Sequence, residues 1–166
     1  MTNINKLYII TGPAGVGKST ISNKLAESLS KSVLIEGDTI YNFFITDRIK
    51  PWQENAPLNL FWNNCIYLIK SYLENGYNVV FNYIINPSTL EFLNKELSNY
   101  NIIFKVLLTD EDTIIKRDLN RPLDCQMKER CIVLLRKFIS YNYPKEYIID
   151  TTNKDIDRIV NEIINS

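Results

Sequence analysis

Apolar and polar positions divide the chain into two kinds of run. Short apolar runs at Leu7 to Ile10, Ser32 to Glu36, Asn78 to Asn82, Ile102 to Leu108 and Tyr147 to Ile149 predict strands, several of them nearly continuous as in a sheet covered on both faces. Between them, apolar residues recur at helical spacing. Lys18 to Leu29 carries Ile21, Leu25 and Leu29 on one stripe, with Lys24 and Glu27 facing out. A longer helix from about Leu58 to Asn75 presents Phe61, Cys65, Leu68, Ile69 and Tyr72, and Gly76 stops it. Asn86-Pro87 supplies an N-cap and a first-turn proline for a helix through Leu90, Leu93 and Leu97. Thr109-Asp110-Glu111-Asp112 puts acid in the first turn of the next helix, which ends near Asn120 because Pro122 disfavours helical geometry at Arg121. Asp124 opens a further helix through Met127, Cys131, Leu134, Leu135 and Phe138. A terminal helix turns Ile156, Ile159, Val160 and Ile163 inward. Five strands alternating with helices predict an α/β fold, a parallel sheet with helices on both faces. With no repeat, low-complexity tract or linker, residues 1–166 read as one domain.

The strongest chemical signal lies between the first strand and the first helix. Gly12-Pro13-Ala14-Gly15-Val16-Gly17-Lys18-Ser19 matches the G-x-x-x-x-G-K-[ST] phosphate loop, with Thr20 beside it in the expected nucleotide-contacting stretch. Gly12, Gly15 and Gly17 allow backbone conformations closed to residues with a Cβ, so that several N–H groups converge on one phosphate. The helix behind adds unpaired donors and about half a positive charge. Lys18 is expected on the β- and γ-phosphates, and the Ser19 hydroxyl on Mg²⁺. The expected cofactors are therefore ATP and Mg²⁺.

Composition narrows the partners. The 166 residues carry 19 Lys plus Arg and 19 Asp plus Glu, so no global basic field argues for nucleic acid. No apolar run reaches the length of a membrane span, and the polar stretch Met1 to Lys6 leaves no room for a signal peptide; a cytoplasmic monomer or homodimer acting on a small molecule is expected. Cys65, Cys125 and Cys131 fall at no metal-ligand spacing and histidine is absent, which argues against zinc and against histidine-based triads. Carboxylates are left as the natural proton acceptors.

Three further features carry chemistry, each with a plainer alternative. Asp38 follows strand two, on the rim where parallel α/β sheets bind ligands; it can take a hydroxyl proton or hold the Mg²⁺ shell through water, or it is a solvated loop residue. Arg117 and Arg121 form a cationic pair over a Pro-containing turn, either lid arginines that neutralise a moving phosphoryl group or favourable charges at a helix end. The irregular segment from Thr39 to Pro57, with Tyr41, Phe43, Phe44 and Trp52 beside Asp47 and Arg48, is either the acceptor-recognition region or core under a long connection.

The phosphate loop, Gly37-Asp38 after strand two, Arg117-Asp118-x-x-Arg121-Pro122-Leu123 after strand four and Asp150-Thr151-Thr152 at the end of strand five together resemble the small P-loop kinases, the group of shikimate kinase, gluconate kinase and chloramphenicol phosphotransferase. That resemblance implies a three-layer fold with strand order 2-3-1-4-5, a lid at about 117–128, an acceptor side at about 38–57, and Mg²⁺-dependent transfer of the γ-phosphoryl group to a small-molecule hydroxyl. It implies Arg121 on the phosphates, Arg117 near the adenine, the Thr151 to Asn153 loop, including Thr152, beside the base, and Asp38 as the catalytic base. Two departures stand out: Asn82 occupies the position where many P-loop enzymes have a Walker B Asp, and the glycine pair of shikimate kinases is replaced by Asn82-Tyr83-Ile84-Ile85. Shikimate is therefore not the expected acceptor, and Asn82, Tyr83, Arg48 and Trp52 are the candidate acceptor contacts. A nucleotide-driven switch or an ATP-binding protein without transfer activity are the competing readings.

Overall fold

The computed structural model describes residues 5–46, 48–123 and 126–166. The first four residues, Asp47, Asp124 and Cys125 lie outside the described residues, and with them the expected helix start at Asp124.

Five strands form one all-parallel sheet: β1 (Lys6–Thr11), β2 (Ser32–Glu36), β3 (Asn78–Asn82), β4 (Asn101–Leu108) and β5 (Ile148–Asp150), in the order β2-β3-β1-β4-β5. Seven helices connect and cover the described strands: α1 (Lys18–Ser28), α2 (Gly37–Tyr41), α3 (Leu58–Glu74), α4 (Pro87–Glu96), α5 (Glu111–Leu119), α6 (Glu129–Ser140) and α7 (Ile156–Ile164).

The central strand explains the double cover. Alternate residues of β1 point to opposite faces. Leu7 and Ile9 join a core with Val79 and Phe81 of β3 and with α3 and α4, while Tyr8 and Ile10 join a second core with Val80, α1 and α7. All four β1 residues are buried, each contributing about 1.5–3 kcal/mol if fully removed from water. A strand apolar on both faces cannot be left at a surface, so its position in the middle of the sheet follows from its composition.

Local signals work as expected at two helices. The Asn86 side chain accepts from the Thr89 amide at 2.9 Å and Pro87 fills the first turn of α4, while Asp110 accepts from the Thr113 amide at 2.6 Å to start α5. Elsewhere the structure differs. The chain after β2 does not pass straight into irregular backbone but turns through α2. Tyr72 and Ile156, expected inward, are 38% and 41% exposed. The helix after Pro122 begins at Glu129, leaving Met127 in the connection before it. Among the described residues no helix is long and apolar enough to cross a membrane.

The carboxyl end of β1 is fixed to the neighbouring connection by one buried bond, from the Ile85 amide to the Thr11 hydroxyl oxygen at 2.9 Å. Replacing Thr11 with the isosteric Val leaves that amide without a partner, which costs about 1–3 kcal/mol. Urea unfolding of Thr11→Val should show this loss, and Thr11→Ser should recover most of it.

Candidate active site

Parallel pairing brings every strand's carboxyl end to one rim, and the register decides which residues meet there. Ile10 pairs with Asn82, and Asn82 with Glu36. The loop leaving β1 therefore starts beside the last residues of β3 and β2. Gly12, Gly15 and Gly17 all have positive φ, at 147°, 87° and 104°, and a methyl at Gly12 would collide with the Leu107 carbonyl oxygen. Only glycine meets both conditions at Gly12. The loop then enters α1 with Gly17 at its N-cap and Lys18, Ser19 and Thr20 in its first turn, the last two exposed.

A cleft of about 560 Å³ runs along this rim. Its walls include Ala14 to Ile21 of the loop and α1, Asp38 and Asn82 on one side, and Arg117 and Arg121 on the other. The Lys18 ammonium folds back to donate to the Gly12 and Pro13 carbonyls, both at 3.0 Å. Burial lowers its pKa to about 8, the Asp38 carboxylate opposes that shift, and the Arg121 guanidinium adds to it.

The space beside Ser19 is defined by Asn82. Its side-chain NH₂ group lies 3.3 Å from the Ser19 hydroxyl oxygen and 3.4 Å from a Glu36 carboxylate oxygen. Glu36 thus places an acid next to the β3 position that lacks one. In the sequence Glu36 reads only as the last strand residue, although the Glu36-Gly37-Asp38 spacing puts two carboxylates at the same strand end. Ser19, Asp38 and Asn82 line the cleft together, with the Glu36 carboxylate next to Asn82, and oxygen donors of this kind suit Mg²⁺, a hard cation that takes one or two carboxylates and completes its shell with water and phosphate.

Arg117 braces the site. It donates to the Val16 carbonyl at 2.8 Å and to the Thr151 hydroxyl and carbonyl oxygens, both at 3.0 Å, so it ties α5 to the phosphate loop and to the end of β5. Thr152 links the ends of β4 and β5, its hydroxyl 3.1 Å from that of Thr109 and accepting from the Asp110 amide at 3.1 Å. Thr152 does not line the cleft; Lys154, Ile156 and Ile159 form its wall at that end. The partial exposure of Ile156 comes from facing this space.

The acceptor-side residues separate. Asn82 and Asp38 line the cleft, together with Ile84, which was not singled out from the sequence. Tyr83 turns the other way, buried with its ring 4.9 Å from that of Phe61 and 5.5 Å from that of Trp62. Burial, and then Asp38, push its phenol upward. It packs so tightly under α2 that a Cβ on Gly37 would lie 2.5 Å from the ring. Arg48 is exposed and donates to the Asn42 side chain. Trp52 is 64% exposed, with the Arg130 guanidinium 4.7 Å and the Lys50 ammonium 5.5 Å from its ring centre. Neither Arg48 nor Trp52 borders the cleft. The aromatic segment divides between both sequence-based readings, since Tyr41 is core, in edge contact with Phe44 and Phe61, while Phe43 and Trp52 face solvent.

The sheet order, its parallel sense and the glycine loop at the rim define the α/β fold of the P-loop kinases. No family model matches the chain. Among solved structures, it is similar over 97% of its length to 94% of the tunicamycin resistance protein of Deinococcus radiodurans, at 15% identity and a TM-score of 0.67. A gluconokinase from Sinorhizobium meliloti matches over 98% of this chain and 91% of that one, at 18% identity and a TM-score of 0.66. The APS kinase of Mycobacterium tuberculosis matches over 97% and 95%, at 15% identity and a TM-score of 0.62. Several of the structural neighbours are named as kinases, and this chain shares their fold.

The Lys18 value gives a signed pH dependence. Phosphate favours the ammonium form, so triphosphate binding above about pH 8 must take up a proton, and affinity falls by up to about tenfold per pH unit there. Calorimetry at pH 8.5 in buffers of different ionisation enthalpy should show this uptake, and Lys18→Met should abolish it.

Proposed function

We propose that this chain is an ATP-dependent phosphotransferase that moves the γ-phosphoryl group to a hydroxyl of a small molecule. One observation carries the reading: the Lys18 loop, the Asp38 carboxylate and the Arg121 guanidinium line a single cleft. Those are the phosphate cradle, a proton acceptor and a neutralising cation that such a transfer requires. Neighbours named gluconokinase and APS kinase support a small-molecule acceptor.

In this reading the backbone amides from Ala14 to Ser19 hold the phosphates, and Lys18 swings from the Gly12 and Pro13 carbonyls onto the β- and γ-oxygens. The acceptor oxygen attacks the γ-phosphorus while its proton passes to Asp38. The bond from that phosphorus to the bridging oxygen breaks, and ADP leaves with the electron pair. Arg121 offsets charge on the transferred group. Arg117 keeps the loop in shape through Val16. Ser19, with Glu36, Asn82 and Asp38 nearby, would hold Mg²⁺, which would supply charge neutralisation for the phosphates when bound.

The test is an ATP-consumption screen against nucleosides, sugars, polyols and antibiotics, with product detected by mass. A phosphorylated small alcohol is expected. Asp38→Asn should lower kcat by about 10²–10⁴-fold and leave ATP affinity within about twofold. ATP hydrolysis that needs no acceptor and rises with added protein or RNA would contradict the proposal.

A further inference from the structure

Asp118 sits in the last turn of α5, 2% exposed. Both circumstances disfavour a carboxylate, since burial strips its water and the helix C-terminus carries negative partial charge. Its surroundings compensate. Its oxygens accept from the Met127 amide at 3.0 and 2.9 Å and from the Lys128 amide at 2.7 Å. Although burial acts to raise its pKa, these amides and Arg121 outweigh it, and the carboxyl lies below its ordinary range.

These contacts fix the backbone just ahead of α6. Its N-cap, Lys128, has φ 51° and provides no side-chain cap, and the Asp118 carboxylate of the preceding helix holds the amides of Met127 and of that N-cap residue from across the connection. Gln126 closes the same turn by donating to the Leu119 and Arg121 carbonyls at 3.1 and 3.0 Å.

The remaining neighbour is Arg121, whose Nη1 is 3.5 Å from an Asp118 oxygen. That nitrogen is buried and, among the described residues, has no hydrogen-bond partner. The pair is thus held by charge at that buried nitrogen, while the side chain, 39% exposed, lines the cleft beside Lys18 and Asp38. Holding two backbone amides needs only acceptor oxygens, which a neutral side chain supplies; a buried negative charge additionally fixes a cation. We propose that Asp118 is the positioning residue for Arg121, aiming its free donors at the terminal phosphate of a bound triphosphate while tying that arginine to the start of α6. The inference rests on the proposed phosphotransferase reading of the cleft. Asp118 touches no reacting atom and acts through Arg121.

The test is a double-mutant cycle read as the ratio of ATP to ADP affinity, measured by calorimetry with Mg²⁺ on the full chain. Asp118→Asn keeps an amide acceptor and removes the charge. It should weaken ATP by about tenfold and leave ADP unchanged, as should Arg121→Ala, and the double variant should be no worse than Arg121→Ala alone. Equal losses for ATP and ADP, or additive losses in the double variant, overturn the role of Asp118 while the wild type still binds both nucleotides. Wild-type protein that binds neither nucleotide overturns the phosphotransferase reading itself and, with it, this role. If circular dichroism shows Asp118→Asn unfolded, Asp118→Glu replaces it; the same non-additivity at smaller size is expected, and its absence counts against the proposal.

Discussion

The site depends on one register. Because Ile10 lies opposite Asn82 and Asn82 opposite Glu36, the loop leaving β1, the amide ending β3 and the carboxylate ending β2 meet at one point of the rim. A parallel strand slipped by one residue would turn its core side chains to the other face. The two cores of β1, with Leu7 and Ile9 on one side and Tyr8 and Ile10 on the other, hold that register. The chemistry is thereby positioned by apolar packing some distance beneath it.

Around that point, the cations are held by the protein itself. Lys18 rests on the carbonyls of its own loop, and Arg117 is held by Val16 and Thr151. Both cations are already at the rim and need not be recruited from solvent when an anion arrives, which favours electrostatic stabilisation there. Arg121 differs, since its ion pair with Asp118 is long and one of its nitrogens lacks a hydrogen-bond partner among the described residues.

Much of this was legible in the sequence, for physical reasons that can be named. The strands were visible because buried parallel strands are apolar on both faces, and α4 and α5 because Asn86 and Asp110 cap them through local bonds. The phosphate loop was visible because its glycines answer a backbone constraint that no other residue meets. What stayed hidden depends on long-range placement. Glu36 joins Ser19 only through strand pairing and Asn82, Tyr83 is buried only because Gly37 lets α2 descend onto it, and the Asp118 contacts span α5 and α6. Trp52 and Arg48 are of types suited to recognition, yet residue type carries no information about which surface a loop turns toward the cleft.

The central claim is that the Gly12 to Ser19 backbone receives the phosphates of a nucleotide. Hydrogen exchange of the amides from Gly15 to Ser19, followed with and without Mg²⁺ and ATP, tests it most directly. Slowed exchange confined to this loop, the rim of the cleft and the turn after Arg117 is the predicted result. Unchanged exchange in the loop at saturating nucleotide, or protection appearing only on α4 at the other side of the sheet, would contradict it.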